Sequence, residues 1–280
     1  MALIDSERNA LVLRIVFDGP PVAGKTATVR SLARLLGGEV KTPEAVAERT
    51  LWYDWMTYLG GRFDGRPILC QTVTVPGQAG LAARRRAILA GADVVVCVAD
   101  TTEGGLDRSL HWYEGLLAHL APITPAVPVI VQANKRDHHR AVPLDVVAAR
   151  IAAVGGDGGV LTETNAMSGE GVRQTFVFAI RLALRRVAEI VAGEGLAKGA
   201  AGTAAELLGL LRALEDAPEG EPAAAVPVSA GPVPPIGEAA AVDAQRPALT
   251  PAGRLERMNL RGLLAFLRND PTDHVRGRAS

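Results

Sequence analysis

Gly19–Thr26 reads GPPVAGKT, with glycines bracketing a loop and a lysine and a hydroxyl side by side where a helix-period segment begins. This order suits phosphate binding. In such a P-loop the backbone N–H groups, here those of Gly19, Val22, Ala23, Gly24, Lys25, Thr26 and Ala27, join the positive end of the helix around phosphate oxygens. Lys25 would neutralise the outer phosphates, and the Thr26 hydroxyl can ligate Mg²⁺. The chain uses arginine almost everywhere else, so a lysine in this loop, one of only four, stands out.

A second lysine lies in Asn134–Asp137, NKRD, directly after the apolar run Val127–Gln132. A carboxylate can accept from both N1–H and the exocyclic amine of guanine, a pair of donors that adenine does not offer. Asp137 would then select the base, with Lys135 packed along it, because the wrong base leaves polar groups unpaired. The plain alternative is a charged loop after a strand. In Thr72–Gly80, TVTVPGQAG, Pro76-Gly77 ends a β-branched run and starts a loop. Gln78 is either an ordinary loop residue or one that handles a water molecule.

The elements that must position these residues follow from periodicity. From Leu11 to about Ala192, strand-length apolar runs alternate with helix-period segments, the pattern of βαβ units around a mostly parallel sheet. Strands are expected at Leu11–Phe17, Leu51–Met56, Leu69–Val75, Val94–Ala99, Val127–Gln132 and Val160–Thr164, giving a mixed six-stranded sheet. Val29, Leu32, Ala33 and Leu36 share one helix face, with Gly37-Gly38 as the stop. Further helices are marked by Leu106, Leu110, Tyr113, Leu117 and Leu120, and by Val172, Phe176, Ile180, Ala183 and Val187.

After roughly Gly193 the chain turns rich in Ala, Gly, Pro and Val, and eight of its 18 prolines fall between Ala217 and Ala252. Such composition suits a flexible linker rather than a core. The expected organisation is an α/β domain over 1–192, a low-complexity linker over 193–253 with a short helix near 204–214, and an amphipathic helix and tail over 254–280. In the last, Leu260, Leu263, Leu264 and Leu267 share a face flanked by Arg257, Arg261 and Arg268. Docking on the domain, binding a partner and lying on a membrane surface all stay open for it, the membrane being the least favoured.

A formal net charge of +0 over 280 residues removes the electrostatic case for nucleic acid or an anionic membrane. Cys70 and Cys97 lie in apolar runs without C-x-x-C spacing, which points to buried, reduced thiols and a cytoplasmic setting. No run reaches membrane-span length, and the N-terminus lacks the features of a signal peptide.

The order of P-loop, ERTLWYDW, TVPGQ, NKRD and ETNAMSGEGV resembles the Ras-like small GTPases, and within them the bacterial MglA-type group, over about Leu11 to Arg186. The resemblance implies a P-loop G domain that binds GTP and GDP with Mg²⁺, hydrolyses GTP, and changes shape with the γ-phosphate. It implies that Thr50 reaches Mg²⁺ and the γ-phosphate, and that Arg49 acts as an arginine finger in cis. Gly77 would offer its N–H to the γ-phosphate and Gln78 would orient the attacking water. Ala166, flanked by Asn165 and Met167, would present its N–H to the guanine carbonyl. A roadblock-fold MglB-type activating partner, an effector, and a role in polarity or surface motility are also implied. The competing reading is a nucleotide-gated scaffold with negligible hydrolysis.

The chain departs from the usual pattern at three places. Thr74 stands where most small GTPases carry the aspartate of D-x-x-G, so weaker metal binding is expected. Pro21 fixes φ and adds bulk in the P-loop, and Asn165 and Met167 replace the Ser and Lys of S-A-K. Trp52, Tyr53 and Trp55 offer either a partner surface or sheet packing. Arg84, Arg85 and Arg86 read as a solvated face, and His138-His139 as loop residues rather than metal ligands.

Overall fold

The computed structural model describes residues 2–42, 53–75, 82–155, 160–193, 195–199, 202, 203, 206–209 and 211. Its central strand, β2 (Ala10–Asp18), follows a short β1 (Leu3–Asp5) and is buried on both faces. That is why β2 reads as a continuous apolar run rather than an alternation. The chain continues through α1 (Lys25–Leu36), β3 (Val40–Lys41), β4 (Trp55–Phe63), β5 (Arg66–Thr74), α2 (Ala82–Ala90), β6 (Val94–Asp100) and α3 (Leu106–Leu120). It ends in β7 (Val129–Asn134), α4 (Leu144–Val154), β8 (Val160–Glu163), α5 (Val172–Gly193) and β9 (Ala197–Gly199).

The sheet runs β3-β4-β5-β2-β6-β7-β8, with β1 paired to β2 and β9 to β1. β5, β2, β6, β7 and β8 are mutually parallel, and β4 joins β5 antiparallel. The expected six strands are present as β4, β5, β2, β6, β7 and β8, and the short β1, β3 and β9 bring the described sheet to nine. One side of the sheet packs Leu13, Ile15 and Phe17 against Val29 and Leu32 of α1 and Phe176 and Ala183 of α5. The other side packs Val16, Val95 and Cys97 against Ile88 of α2, Leu116 of α3 and Ile151 of α4. Cys70 and Cys97 are buried free thiols, and burial pushes Cys70 up to about 12. None of the described helices is long and apolar enough to cross a membrane.

The strand expected at Leu51–Met56 is displaced: β4 starts at Trp55 and extends to Phe63. It forms a hairpin with β5 through Asp64 (φ 49°) and Gly65 (φ 76°), the two positive angles of the tight turn that Asp-Gly favours. A register shift between Leu59 and Arg62 spans Gly60 and Gly61, which hides the strand's alternation. Tyr53 and Trp55 pack into the core, so these two aromatics are sheet packing rather than an exposed patch.

Beyond α5, β9 continues the sheet edge, and the Gly202 carbonyl accepts a 2.7 Å hydrogen bond from Gln71 Nε2. Leu207 and Leu211 are buried in the same core cluster as Ile88 and Leu116, although the composition there reads as linker. Substituting Leu211→Ala is expected to destabilise the domain by about 2–4 kcal/mol, the usual range for a buried leucine. Urea unfolding of the full chain checks this, and an unchanged midpoint would show that the segment does not belong to the core.

Candidate functional site

The carboxyl ends of β5, β2, β6, β7 and β8 share one edge, and the strand order reverses at β2. Open α/β sheets place their ligand crevice at such a point. The loop after β2 turns tightly through Gly19 (φ 144°), Val22 (φ 65°) and Gly24 (φ 108°). Glycine is required at two of these on space alone. A Cβ on Gly19 would collide with the Val98 carbonyl of β6, and one on Gly24 with the Asn134 side-chain amide.

Gly24 caps α1 without a side-chain hydrogen bond. The first-turn N–H groups of Lys25, Thr26 and Ala27 therefore have no acceptor within the helix and favour an anion. Lys25 Nζ folds over the loop and donates to the carbonyls of Gly19 at 2.7 Å and Pro20 at 2.9 Å. Burial lowers Lys25 to about 8, with the charge of Asp18 opposing that shift. An anion in front of Nζ would favour the charged form further. Thr26 is exposed at the mouth, and Val22 is 79% exposed.

Asn134, the last residue of β7, is buried and makes bonds in two directions. Its Nδ2 donates to the Ala23 carbonyl at 2.8 Å, and its Oδ1 accepts from Ala166 N–H at 3.0 Å and Thr164 Oγ1 at 3.1 Å. Lys135 follows with φ 64° and directs its ammonium to Asp100 Oδ2 at 2.7 Å. Asp137 is exposed on the same loop. Asn165 builds the neighbouring turn by accepting from the N–H groups of Met167 and Ser168 at 2.9 and 3.1 Å, leaving Ala166 buried and Met167 exposed. The structure thus brings together the P-loop, the NKRD loop and residues 165–167. Arg49, Thr50, Gly77 and Gln78, together with Trp52, lie outside the described residues.

Three carboxylates stand at this edge: Asp100, which with Thr101 and Thr102 follows a strand end and reads from sequence as loop and cap chemistry at the site's rim, and Asp54 and Asp18, which sequence does not single out. Asp100 accepts from Lys135 and from the Thr102 N–H and hydroxyl. Burial pushes its carboxyl up, but those bonds outweigh burial and hold it below the usual value. Asp54, just before β4, is buried beside Thr74: its N–H donates to Thr74 Oγ1 at 2.7 Å, and its carboxylate accepts from Thr42 Oγ1 at 3.1 Å. Asp18 is fully buried and bound by Arg85. Arg84 is also buried, so Arg84 and Arg85 do not form the solvated face expected of them. The common signal was an acidic residue at or beside the end of a strand.

Mg²⁺ takes hard oxygen donors, and the donor set at this edge is of that kind, with the Thr26 hydroxyl and a buried Asp54 carboxylate where Thr74 has replaced one. His138 and His139 stack on each other at 4.6 Å, and no group of three or more His, Cys, Asp or Glu among the described residues could hold a metal alone.

The fold and the loop set define a P-loop small GTPase. The chain is 30% identical over 152 residues to the mutual gliding-motility protein MglA of Myxococcus xanthus strain DK1622, a match spanning 52% of this chain and 78% of that one. It belongs to the MglA-type group of Ras-like small GTPases. No family model matches the chain. Among solved structures it is similar to the Arl6 BBS3 small GTPase from Trypanosoma brucei with bound GppNp, at 20% identity and a TM-score of 0.49, over 62% of this chain and 99% of that one.

Substituting Asn134→Ala leaves the Ala23 carbonyl and the Ala166 N–H without their partner. An unpaired buried group of this kind costs about 1–3 kcal/mol. The variant is expected to unfold at a lower temperature and to bind GDP at least about tenfold more weakly, read by thermal melting and by titration with a fluorescent GDP.

Proposed function

We propose that the protein is a guanine-nucleotide switch that hydrolyses GTP to GDP and phosphate, slowly until an activating partner binds. The observation that supports this best is the buried Asn134 side chain, which ties the P-loop to the 164–166 loop behind the place where a base would sit. In this reading Asp137 accepts from the two guanine donors while Lys135, anchored to Asp100, lies along the ring. The first-turn amides of α1 hold the β- and γ-phosphates, and Lys25 moves from the Gly19 and Pro20 carbonyls onto them.

Thr26 and Thr50 would hold Mg²⁺, with Asp54 as an outer-shell partner standing in for the aspartate absent at Thr74. When bound, the ion supplies positive charge against the phosphate oxygens. The resemblance assigns Arg49 to the charge spread over the transferring phosphoryl group, Gly77 to the γ-phosphate, and Gln78 to the attacking water. A roadblock-fold MglB-type activator, an unidentified effector, and a cytoplasmic role in bacterial polarity or motility complete the reading. The competing scaffold, which reads nucleotide without cleaving it, is favoured by Pro21 and by the hydroxyl at Thr74.

Single-turnover cleavage of Mg²⁺-GTP separates the two. Slow hydrolysis is expected, reduced at least about a hundredfold by Gln78→Leu or Arg49→Ala, as loss of transition-state charge or water placement demands. Tight GTP binding with no cleavage, even with a roadblock-type protein added, would favour the scaffold. A separate test addresses the metal. Asp54→Asn is expected to raise the Mg²⁺ concentration needed to slow GDP release by about tenfold or more, the usual size of an outer-shell effect. An unchanged Mg²⁺ dependence would remove Asp54 from the site.

A further inference from the structure

Asp18 is the last residue of β2, adjoins Gly19 at the start of the P-loop, and is fully buried. A carboxylate there sits badly with a phosphate site, because its charge repels the ligand. Its compensation comes from Arg85 on α2, the helix that follows the loop carrying Gln78. Arg85 Nε approaches both carboxylate oxygens at 3.2 Å and Nη2 bonds Oδ2 at 2.7 Å, while the guanidinium stacks 4.6 Å over the Trp112 ring of α3. The fork and the stack fix Arg85 in place.

The charge of Asp18 also reaches Lys25, whose ammonium is bonded to loop carbonyls rather than to Asp18. If α2 moved and took Arg85 with it, Asp18 would be left buried and unpaired beneath the loop, an arrangement proteins tolerate poorly. Lys25 and His119 both feel the Asp18 charge, and Lys25 would then be drawn toward it, away from the phosphates it is proposed to hold.

We propose that the Arg85–Asp18 pair makes retention of the nucleotide depend on the position of α2, so that a partner gripping α2 and withdrawing Arg85 would release the nucleotide. This rests on the guanine-nucleotide reading above. By reciprocity, bound nucleotide favours α2 in its docked place. Arg85 is thus a positioning residue that acts through Asp18.

The test is release of fluorescent mant-GDP from the full chain into excess GDP. Arg85→Gln is expected to release at least about tenfold faster, since it strands the buried carboxylate. Asp18→Asn, which keeps the cation and removes the anion, is expected to release more slowly than the natural protein. The double variant, with neither charge, should return to within about threefold of it. That rescue is what a packing role for Arg85 against Trp112 would not give. If Arg85→Gln does not fold, the direction of the Asp18→Asn change decides alone. Release that is unchanged in Arg85→Gln, faster in Asp18→Asn, or not rescued in the double variant overturns the proposal while leaving the GTPase reading intact. A natural protein that binds no mant-GDP sinks both.

Discussion

The Ala23 carbonyl and the Ala166 N–H are both buried, belong to loops from different strands, and meet a single side chain. Asn134 supplies a donor to one and an acceptor to the other. Few residue types could take its place. Aspartate has no donor for Ala23 and would set a charge against that carbonyl; glutamine adds a methylene that the gap beside Gly24 lacks room for, since even a Cβ on that glycine would strike the Asn134 amide. The contact needs a glycine at position 24, just before α1, and it holds Ala166 in place.

The sheet topology explains why the contact exists at all. β2 sits between β5 and β6, so the parallel strands β5, β2, β7 and β8 all end on the same edge. An edge that collects orphan N–H groups from a helix start attracts anions, yet three aspartates stand there too. Each is held by a partner: Asp18 by Arg85, Asp54 by Thr42 and Thr74, and Asp100 by Lys135 and Thr102. With Asp18 and Asp100 each matched by a cation and Asp54 held by two hydroxyls, Lys25 and the amides can dominate the field that a phosphate meets.

What could be read from sequence was what short-range backbone geometry dictates. The P-loop and NKRD each work as continuous segments, and the buried parallel strands declare themselves by uninterrupted apolar runs. β4 was misplaced because its two glycines and register shift break the alternation, although Asp64-Gly65 marked the hairpin turn. Arg85 with Asp18, and Asp54 with Thr74, were invisible for another reason. Their partners are 67 and 20 residues apart, and a charged residue gives no sign of which distant strand will face it. Composition likewise misleads after α5, where alanine-rich sequence still supplies Leu207 and Leu211 to the core.

Thr74 is better understood as half of a pair than as a defect. Its hydroxyl accepts from the Asp54 N–H at 2.7 Å and lies 3.4 Å from the Asp54 carboxylate, so one small side chain serves as acceptor and donor toward the same neighbour. An aspartate at position 74 could accept from that N–H but not donate, and it would press a second carboxylate against the first. The carboxylate proposed to face Mg²⁺ can therefore come from β5 or from the residue before β4, but not comfortably from both. Restoring the common aspartate at 74 would repel Asp54 rather than complete the site, unless Asp54 were replaced at the same time.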